Sequence, residues 1–336
     1  VFGAEFTVKE LELIEELASC VLRDGCDPVV RFRLLRDVLK VSRDSPDFTD
    51  TRREMLKSRW VSELKHEQRE DGSWGRFHSA MKSKGKIVTT EAAVERGLAL
   101  GLEASDPVFR AAISYLSRLL DGSIGFPDPP ERNNRWATGT ALFAASTLAR
   151  ISPDLPILDR PWELWAEIAE RTFGSGKYDA EAEIRTHQML TGASVKNSYL
   201  VLNNRYQLAL LGSRARGLSK SLEKSLVDWV WHRQDGVGYL EIPLSNLPQH
   251  FTPGMLDRLF TSLELLSCFP SWRELADSVI TWLWKNRNGE GFWDFGPRAS
   301  MSVYFPLSES WRKSKQRQHD WSTRVLALLR NYYDSP

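Results

Sequence analysis

Cysteine is scarce in this chain: three residues in 336, at positions 20, 26 and 268. Three scattered thiols make neither a disulfide framework nor a zinc knuckle, which points to a reducing, cytoplasmic setting. Long hydrophobic runs are missing as well. Without a stretch of about 18 apolar residues or a signal-peptide core, neither a membrane span nor a secretory leader is expected, while contact with a membrane surface stays open. Charge of one sign is also lacking, since 45 Lys and Arg against 44 Asp and Glu leave a formal +1. A field that weak selects no partner. Aromatic residues do not alternate with lysines at nucleotide spacing, so nucleic acid is not an expected ligand. The six histidines show no HxxxH or HxH spacing of the kind that marks a metal centre within one element.

Tryptophan, by contrast, is abundant, with 13 residues. Several stand in or beside a glycine-aromatic repeat. Gly72-Ser-Trp74, Gly176-Lys-Tyr178 and Gly291-Phe-Trp293 are its clear copies, Gly125-Phe-Pro127 and Gly238-Tyr-Leu240 its worn ones. A unit returning roughly every 50 to 60 residues is one supersecondary element reused, here an α-hairpin whose first helix stops at the glycine.

The segment from Asp50 to Gln68 carries Leu56, Trp60 and Leu64 at successive helical turns with charges opposite, the pattern of a half-buried helix. Segments 137–150 (ATGTALFAASTLAR) and 199–211 (YLVLNNRYQLALL) are apolar or small nearly all round and must be enclosed by other helices. Alternation of the two kinds predicts two layers. The outer/inner pairs fall near 7–24/28–41, 50–68/88–103, 107–120/134–151, 161–172/187–211, 218–233/252–268 and 272–287/319–333. Six such hairpins predict an all-α (α/α)6 barrel, a toroid forming a single domain over 1–336. Inner-to-outer links are short and carry Pro107, Pro161 or Pro270, whereas the return links 72–88, 236–251 and 288–318 are long and share one rim. Long loops on a rigid scaffold are where binding and catalysis concentrate.

The first copy sits in LKHEQREDGSWG (64–75), where Leu64, Gln68, Gly72 and Trp74 keep the spacing of the QW motif of squalene and oxidosqualene cyclases. Val230, Gln234 and Gly238 repeat it with Leu240 in place of tryptophan. Leu283, Arg287, Gly291 and Trp293 repeat it with arginine in place of glutamine. The chain thus resembles the terpenoid cyclase and protein prenyltransferase superfamily, in single-toroid form, over about residues 50–333. The resemblance implies a scaffolding role for the repeat, with glutamine on backbone groups at a helix end and tryptophan between neighbouring outer helices. It also implies an apolar central cavity. No acid or metal motif comes with it: the DxDD, DCTAE and DDxxD strings are absent, and no cysteine stands at an inner-helix start, where prenyltransferase β subunits place a zinc ligand.

Four histidines, His78, His187, His250 and His319, fall at or just before expected inner-helix N-termini on the rim of the long links. Beside them stand Glu91, Arg135 and Trp136, Asp179 and Glu181 within YDAEAEIRTH (178–187), and Asp320-Trp321. Unpaired N–H groups and the helix dipole favour anions at such places and poise acids and histidines. His319 with Asp320 is the first expectation for chemistry, followed by Glu91 and His187, with Asp179 or Glu181 as alternative proton donors. Two or three of the histidines with a carboxylate would suit a divalent metal. Trp136, Tyr206, Trp293 and Trp321, with Tyr199, Phe251, Phe260, Phe295 and Tyr304, would wall a cavity whose mouth carries Arg135, His78 and His250. Lys82, Lys84 and Lys86 with Arg312, Lys313, Lys315 and Arg317 would make that mouth electropositive, for a diphosphate or another anionic head group. Each has a plainer reading too: Thr89, Asn133 and Asp320 as N-caps, the rings as core, the charge runs as solvated faces.

The leading expectation is a terpenoid-cyclase-like protein that takes an isoprenoid or another elongated apolar small molecule, with acid-initiated cyclisation or isomerisation by a non-standard acid. One rival is an (α/α)6 carbohydrate-active hydrolase or lyase, which needs carboxylates beside stacking rings. The other is a non-catalytic lipid-binding or scaffold toroid. The lining discriminates between the ligands. An aliphatic floor suits an isoprenoid and a polar one a sugar, and the inner-helix strings ALFAASTL and LVL favour the first. Oligomeric state is not legible.

Overall fold

The computed structural model describes residues 2–79, 87, 89–196, 198–247, 250–297 and 306–334, with backbone alone for 2–7. Lys82, Lys84, Lys86 and Tyr304 lie outside the described residues. Among the described residues regular structure is all helical, and extended contacts are limited to the single bridges Asn204–Gly238 and Gly236–Ile242. The helices are α1 (Phe2–Arg23), α2 (Pro28–Arg33, continued by a π turn Leu34–Val38), α3 (Pro46–Leu56), α4 (Arg59–Glu67) and α5 (Thr90–Leu100). Next come α6 (Pro107–Leu120), α7 (Trp136–Ile151), α8 (Asp159–Thr172), α9 (Ala180–Thr191) and α10 (Arg205–Ser213). The chain continues through α11 (Lys220–Trp231), α12 (Pro253–Leu266), α13 (Trp272–Leu275), α14 (Asp277–Lys285) and α15 (Ser314–Tyr333). No helix among the described residues is long and apolar enough to cross a membrane.

Local chemistry sets the starts and stops. Ser45, Ser58, Thr89, Ser219 and Thr252 each accept a hydrogen bond from a backbone N–H in the first turn of the helix that follows. Two expected helices are corrected on these grounds. The one over 50–68 is two, because Ser58 caps a new start at Arg59. The one over 187–211 is also two: α9 stops at Gly192 (φ 68), and helix resumes only after Asn204, whose side chain caps α10. Leu200 and Leu202 between them are fully buried, so an apolar run that reads as an enclosed helix is partly an enclosed loop. The last helix begins at Ser314 rather than near 319, which moves His319 and Asp320 into its interior.

The repeat serves as a staple. Gly72, Gly176 and Gly291 adopt φ of 94°, 81° and 86°, and their N–H groups reach back to the carbonyls of Arg69, Phe173 and Asn288 at 2.9, 2.7 and 3.0 Å. In the worn copies the left-handed glycine is not Gly125 or Gly238 but Gly122 (φ 77) and Gly236 (φ 57), so those copies are shifted in register. Trp74 Nε1 donates to the Leu64 carbonyl at 2.9 Å, and Trp293 Nε1 to that of Leu283 at 2.7 Å, the same closure in two copies. Gln68 Nε2 donates to the carbonyls of Gly72 at 3.0 Å and Val108 at 2.9 Å, which ties the turn to α6.

Helix α7 packs on α5, α6 and α10, α10 packs on α12, and α15 packs on α1, α2 and the π turn. Arg324 of α15 holds Asp257 of α12 at 2.9 Å, and Arg36 reaches the Gly101 carbonyl past α5 at 2.8 Å. Between α2, α5, α7, α12 and α15 lies a cavity of about 210 Å³. Arg33, Glu95, Arg150, Glu264 and Arg324 line it beside the aliphatic Leu98, Ala99 and Leu307, while Leu142, Ala144, Ala145 and Leu148 of α7 are buried in helix packing.

Candidate functional site

Three residues singled out in the sequence converge: His78, Glu91 and Tyr206. The loop before His78 is laid across the start of α5, with Thr90 N on the Arg76 carbonyl at 2.8 Å and Glu91 N on that of Phe77 at 3.1 Å. Buried Asp128 accepts the N–H groups of Phe77, His78 and Ser79 at 2.7, 2.9 and 2.7 Å, which fixes the loop from the other side. His78 Nδ1 consequently meets Glu91 Oε2 at 2.8 Å. The Tyr206 hydroxyl, from the first turn of α10, lies 3.0 Å from that Nδ1 and 3.2 Å from the same carboxylate oxygen. Phe143 stacks on the imidazole at 5.4 Å, and the Tyr239 ring stands 6.3 Å from it. Among the described residues His78 Nε2 makes no hydrogen bond. A carboxylate on one ring nitrogen with the other left open is the arrangement of an oriented, proton-transferring histidine.

The electrostatics follow from this packing. The hydrogen bond to Glu91 raises the His78 pKa above its ordinary value, against a smaller effect of burial. Burial alone would raise the Glu91 carboxyl, but the bond from His78 and the charge of Arg205 outweigh it and hold it low. Burial and the Glu91 charge push the Tyr206 phenol well above its usual value, so it stays a donor.

Beside Tyr239 and Tyr199 opens a cleft of about 890 Å³. Tyr178, Asn203 and Asn204 share its wall, and Glu131, Glu181, Glu183, Asp235 and Glu241 outnumber Arg135, Lys196 and Arg233. The cleft is therefore polar with an acidic excess, and of the residues expected to make an electropositive mouth, Lys82, Lys84 and Lys86 lie outside the described residues. Of the second run, Lys315 is paired with Asp24 at 2.7 Å and Arg317 with Asp294 at 2.8 Å. Tyr239 (φ 67) and Glu241 (φ 52) hold left-handed backbone without being glycine. Such conformations cost on the order of 1 kcal/mol or more each and cluster at functional sites. Glu183 lies at the cleft wall, with Oε1 accepting from Leu202 N at 2.8 Å and Oε2 from the Tyr178 hydroxyl at 2.7 Å. Burial raises its pKa, and those two donors offset only part of the effect.

The other sequence-derived residues are placed elsewhere. His187 is fully buried inside α9, edge-on to Trp165 at 5.2 Å, with both ring nitrogens unpartnered. Burial pulls its pKa down to about 4, so it is neutral and out of a ligand's reach. His319 is buried against Asp24, at 3.1 Å, near the end of α1. Asp320 faces another way and accepts from Leu307 N, Ser308 N and Ser308 Oγ at 2.9, 2.9 and 2.6 Å, which makes it a loop staple rather than the partner of His319. Asp179 is the N-cap of α9, bonded by Glu181 N and Ala182 N, and Glu181 is exposed at the cleft. Trp293 and Trp321 are buried scaffold, the latter donating to the Gly296 carbonyl at 3.1 Å. Arg135 lies over the Tyr199 ring, Trp136 packs edge-on to Phe126, and His250 is exposed before α12. The four histidines do not converge, and no group of three His, Cys, Asp or Glu among the described residues could hold a metal ion.

Sequence reading gave no site role to Glu183, Phe143, Arg205 or Tyr239, and gave Tyr178 only the scaffold place of a repeat aromatic. Glu183 was within sight in YDAEAEIRTH, one helical turn after the capping Asp179, where a side chain turns inward. Tyr239 occupies a worn repeat copy, whose departure from the pattern was its only signal. No protein-family profile, curated protein or solved structure matches the chain.

Proposed function

We propose that the helices close a single-domain (α/α)6 toroid of the terpenoid cyclase and prenyltransferase type, whose rim cleft takes a neutral, elongated, hydroxylated ligand, an oligosaccharide, for acid–base cleavage. The toroid is supported by the succession of neighbours α5, α7, α10 and α12, with α15 joined to α12 through Arg324 and packed back on α2. The two tryptophan closures and the Gln68 bridge support the family reading.

The cleft lining carries the ligand reading: three tyrosines for stacking on sugar rings beside asparagines and carboxyl groups, with an acidic excess that disfavours anionic ligands. Glu183, whose carboxyl pKa burial raises, is the general acid. Glu181, across the first turn of α9, supplies the second carboxyl group. The His78–Glu91–Tyr206 set lies behind the cleft residue Tyr239, whose ring is 6.3 Å from the imidazole, and would bind a hydroxyl group through Nε2. Alkene protonation fits poorly, because it demands an acid far stronger than an imidazolium, and Glu91 is ionised.

Calorimetry and product analysis with neutral cello-, xylo-, malto- and chito-oligosaccharides test this. Glu183→Gln should bind without cleaving, and Tyr239→Ala should bind more weakly. Absence of binding by every glycan would sink the proposal. An isoprenoid ligand is a second reading, favoured by the rings of Phe77, Phe126, Phe143 and Trp136 packed around and behind His78. Binding of squalene, farnesyl or geranylgeranyl compounds without glycan binding would select it, and binding without turnover would select the non-catalytic toroid.

A further inference from the structure

The cavity between α2, α5, α7, α12 and α15 shares no lining residue with the tyrosine-walled cleft. An alternating file of charges leads to it. His78 meets Glu91, Glu91 lies 3.8 Å from Arg205, Arg205 pairs with Glu95, and Glu95 holds Arg150 at 3.0 Å. On the far wall Arg324 pairs with Glu264 at 2.6 Å. Three guanidinium groups from three helices, Arg33, Arg150 and Arg324, thus border about 210 Å³ together with two carboxylates, Glu95 and Glu264.

Arg150 decides what this space suits. Among the described residues only its Nη1 is engaged, by Glu95, and that carboxylate is shared with Arg205. Nε and Nη2 keep their hydrogens unused, on a side chain that retains 32 % of its exposure where it borders the cavity. The Nε–Nη2 edge of a guanidinium is a planar fork that matches two oxygens of one carboxylate or phosphate.

We propose that this cavity is a binding site for a small oxyanion, the phosphate or carboxylate group of a ligand no larger than a short metabolite. The anion sits on the Nε–Nη2 edge of Arg150, with Arg33, paired with Asp37, and Arg324, paired with Asp257 and Glu264, on the facing walls. The site is independent of the glycan reading, and neither stands or falls with the other.

Isothermal titration of the full chain with inorganic phosphate and, separately, with succinate tests it, at constant ionic strength and with chloride as control. Wild type should show saturable one-site binding of at least one oxyanion. Arg150→Gln should weaken it tenfold or more, and Arg150→Lys, which keeps the charge but loses the fork, should fall between. Phosphate preferred over succinate assigns the ligand to the phosphate class, and the reverse to the carboxylates. No saturable binding of either above chloride, or an unchanged affinity in Arg150→Gln, overturns the proposal. Circular dichroism verifies that the variants fold. If Arg150→Gln does not, equal affinity in Arg150→Lys and wild type overturns it instead.

Discussion

The Glu91 carboxylate, 2.8 Å from Nδ1, keeps the proton on His78 to higher pH than a free imidazole would. Stability from this pair is fully present below the ordinary histidine value of 6.5 and above the ordinary glutamate value of 4.5. It is lost as pH rises through the folded His78 pKa, or falls through that of Glu91. An NMR titration of His78 should therefore have its midpoint above 6.5, and Glu91→Gln should lower that midpoint. A midpoint unmoved by the substitution would remove Glu91 from the argument. His187 behaves in the opposite sense. Its folded pKa near 4 lies below the ordinary 6.5, so the unfolded chain binds the extra proton between those values. Its contribution is present above pH 6.5 and lost as pH falls toward 4, a change on the order of 3 kcal/mol. Chemical denaturation at pH 7.5 and pH 4.5 should show His187→Leu losing less stability on acidification than wild type. Neither behaviour can be read from sequence, since both histidines sit beside polar residues and what separates them is burial and the Glu91 carboxylate that only His78 meets.

At the scale of the element, the repeat was legible because its residues act locally. Gly72 needs both its left-handed backbone and its bare Cα: a Cβ there would lie 2.2 Å from the Ala111 carbonyl oxygen of α6. Gly125 has no such φ, and nothing lies within 4 Å of a Cβ built on it. Gly72→Ala should cost about 3 kcal/mol or more, whereas Gly125→Ala should change stability by less than about 1 kcal/mol. Equal effects in thermal or urea unfolding would contradict the shifted register of the worn copies. Gln68→Ala removes the bonds to Gly72 and Val108 and should cost about 1–2 kcal/mol. Helix ends were less legible. Ser58 and Asn204 are ordinary polar letters inside apolar-periodic stretches, and whether each caps a helix depends on a backbone path that periodicity does not report. The residues near 187–204 show the consequence: one long inner helix was expected, and a helix, a buried loop and a second helix are found.

For the whole molecule, the junction of α12 and α15 is the contact that the toroid reading most depends on. Arg324 meets Asp257, fully buried, at 2.9 Å and Glu264 at 2.6 Å. Arg324→Met should cost about 3 kcal/mol or more, because a buried carboxylate loses a charged partner. Unfolding followed by circular dichroism and by tryptophan fluorescence should show one shared transition if the chain is a single domain. A stability unchanged by the substitution would mean that the helices are held together elsewhere. The charged interior has the same origin at larger scale. Arg33, Glu95, Arg150, Glu264 and Arg324 are far apart in sequence, and each reads as a solvated letter on its own helix.

The sequence by itself determined the all-helical class and, in the three clear copies of the repeat, the place of the turn glycine. Those properties depend on φ preference, periodicity and hydrogen bonds spanning about ten residues or fewer. Only the tertiary structure decided which polar residues meet. It drew His78, Glu91 and Tyr206 together from three segments, buried His187 and His319 apart, and gathered Arg33, Glu95, Arg150, Glu264 and Arg324 around one cavity. A side chain's partners and its share of water are fixed by which helices touch, and no residue's own neighbours in the chain carry that information.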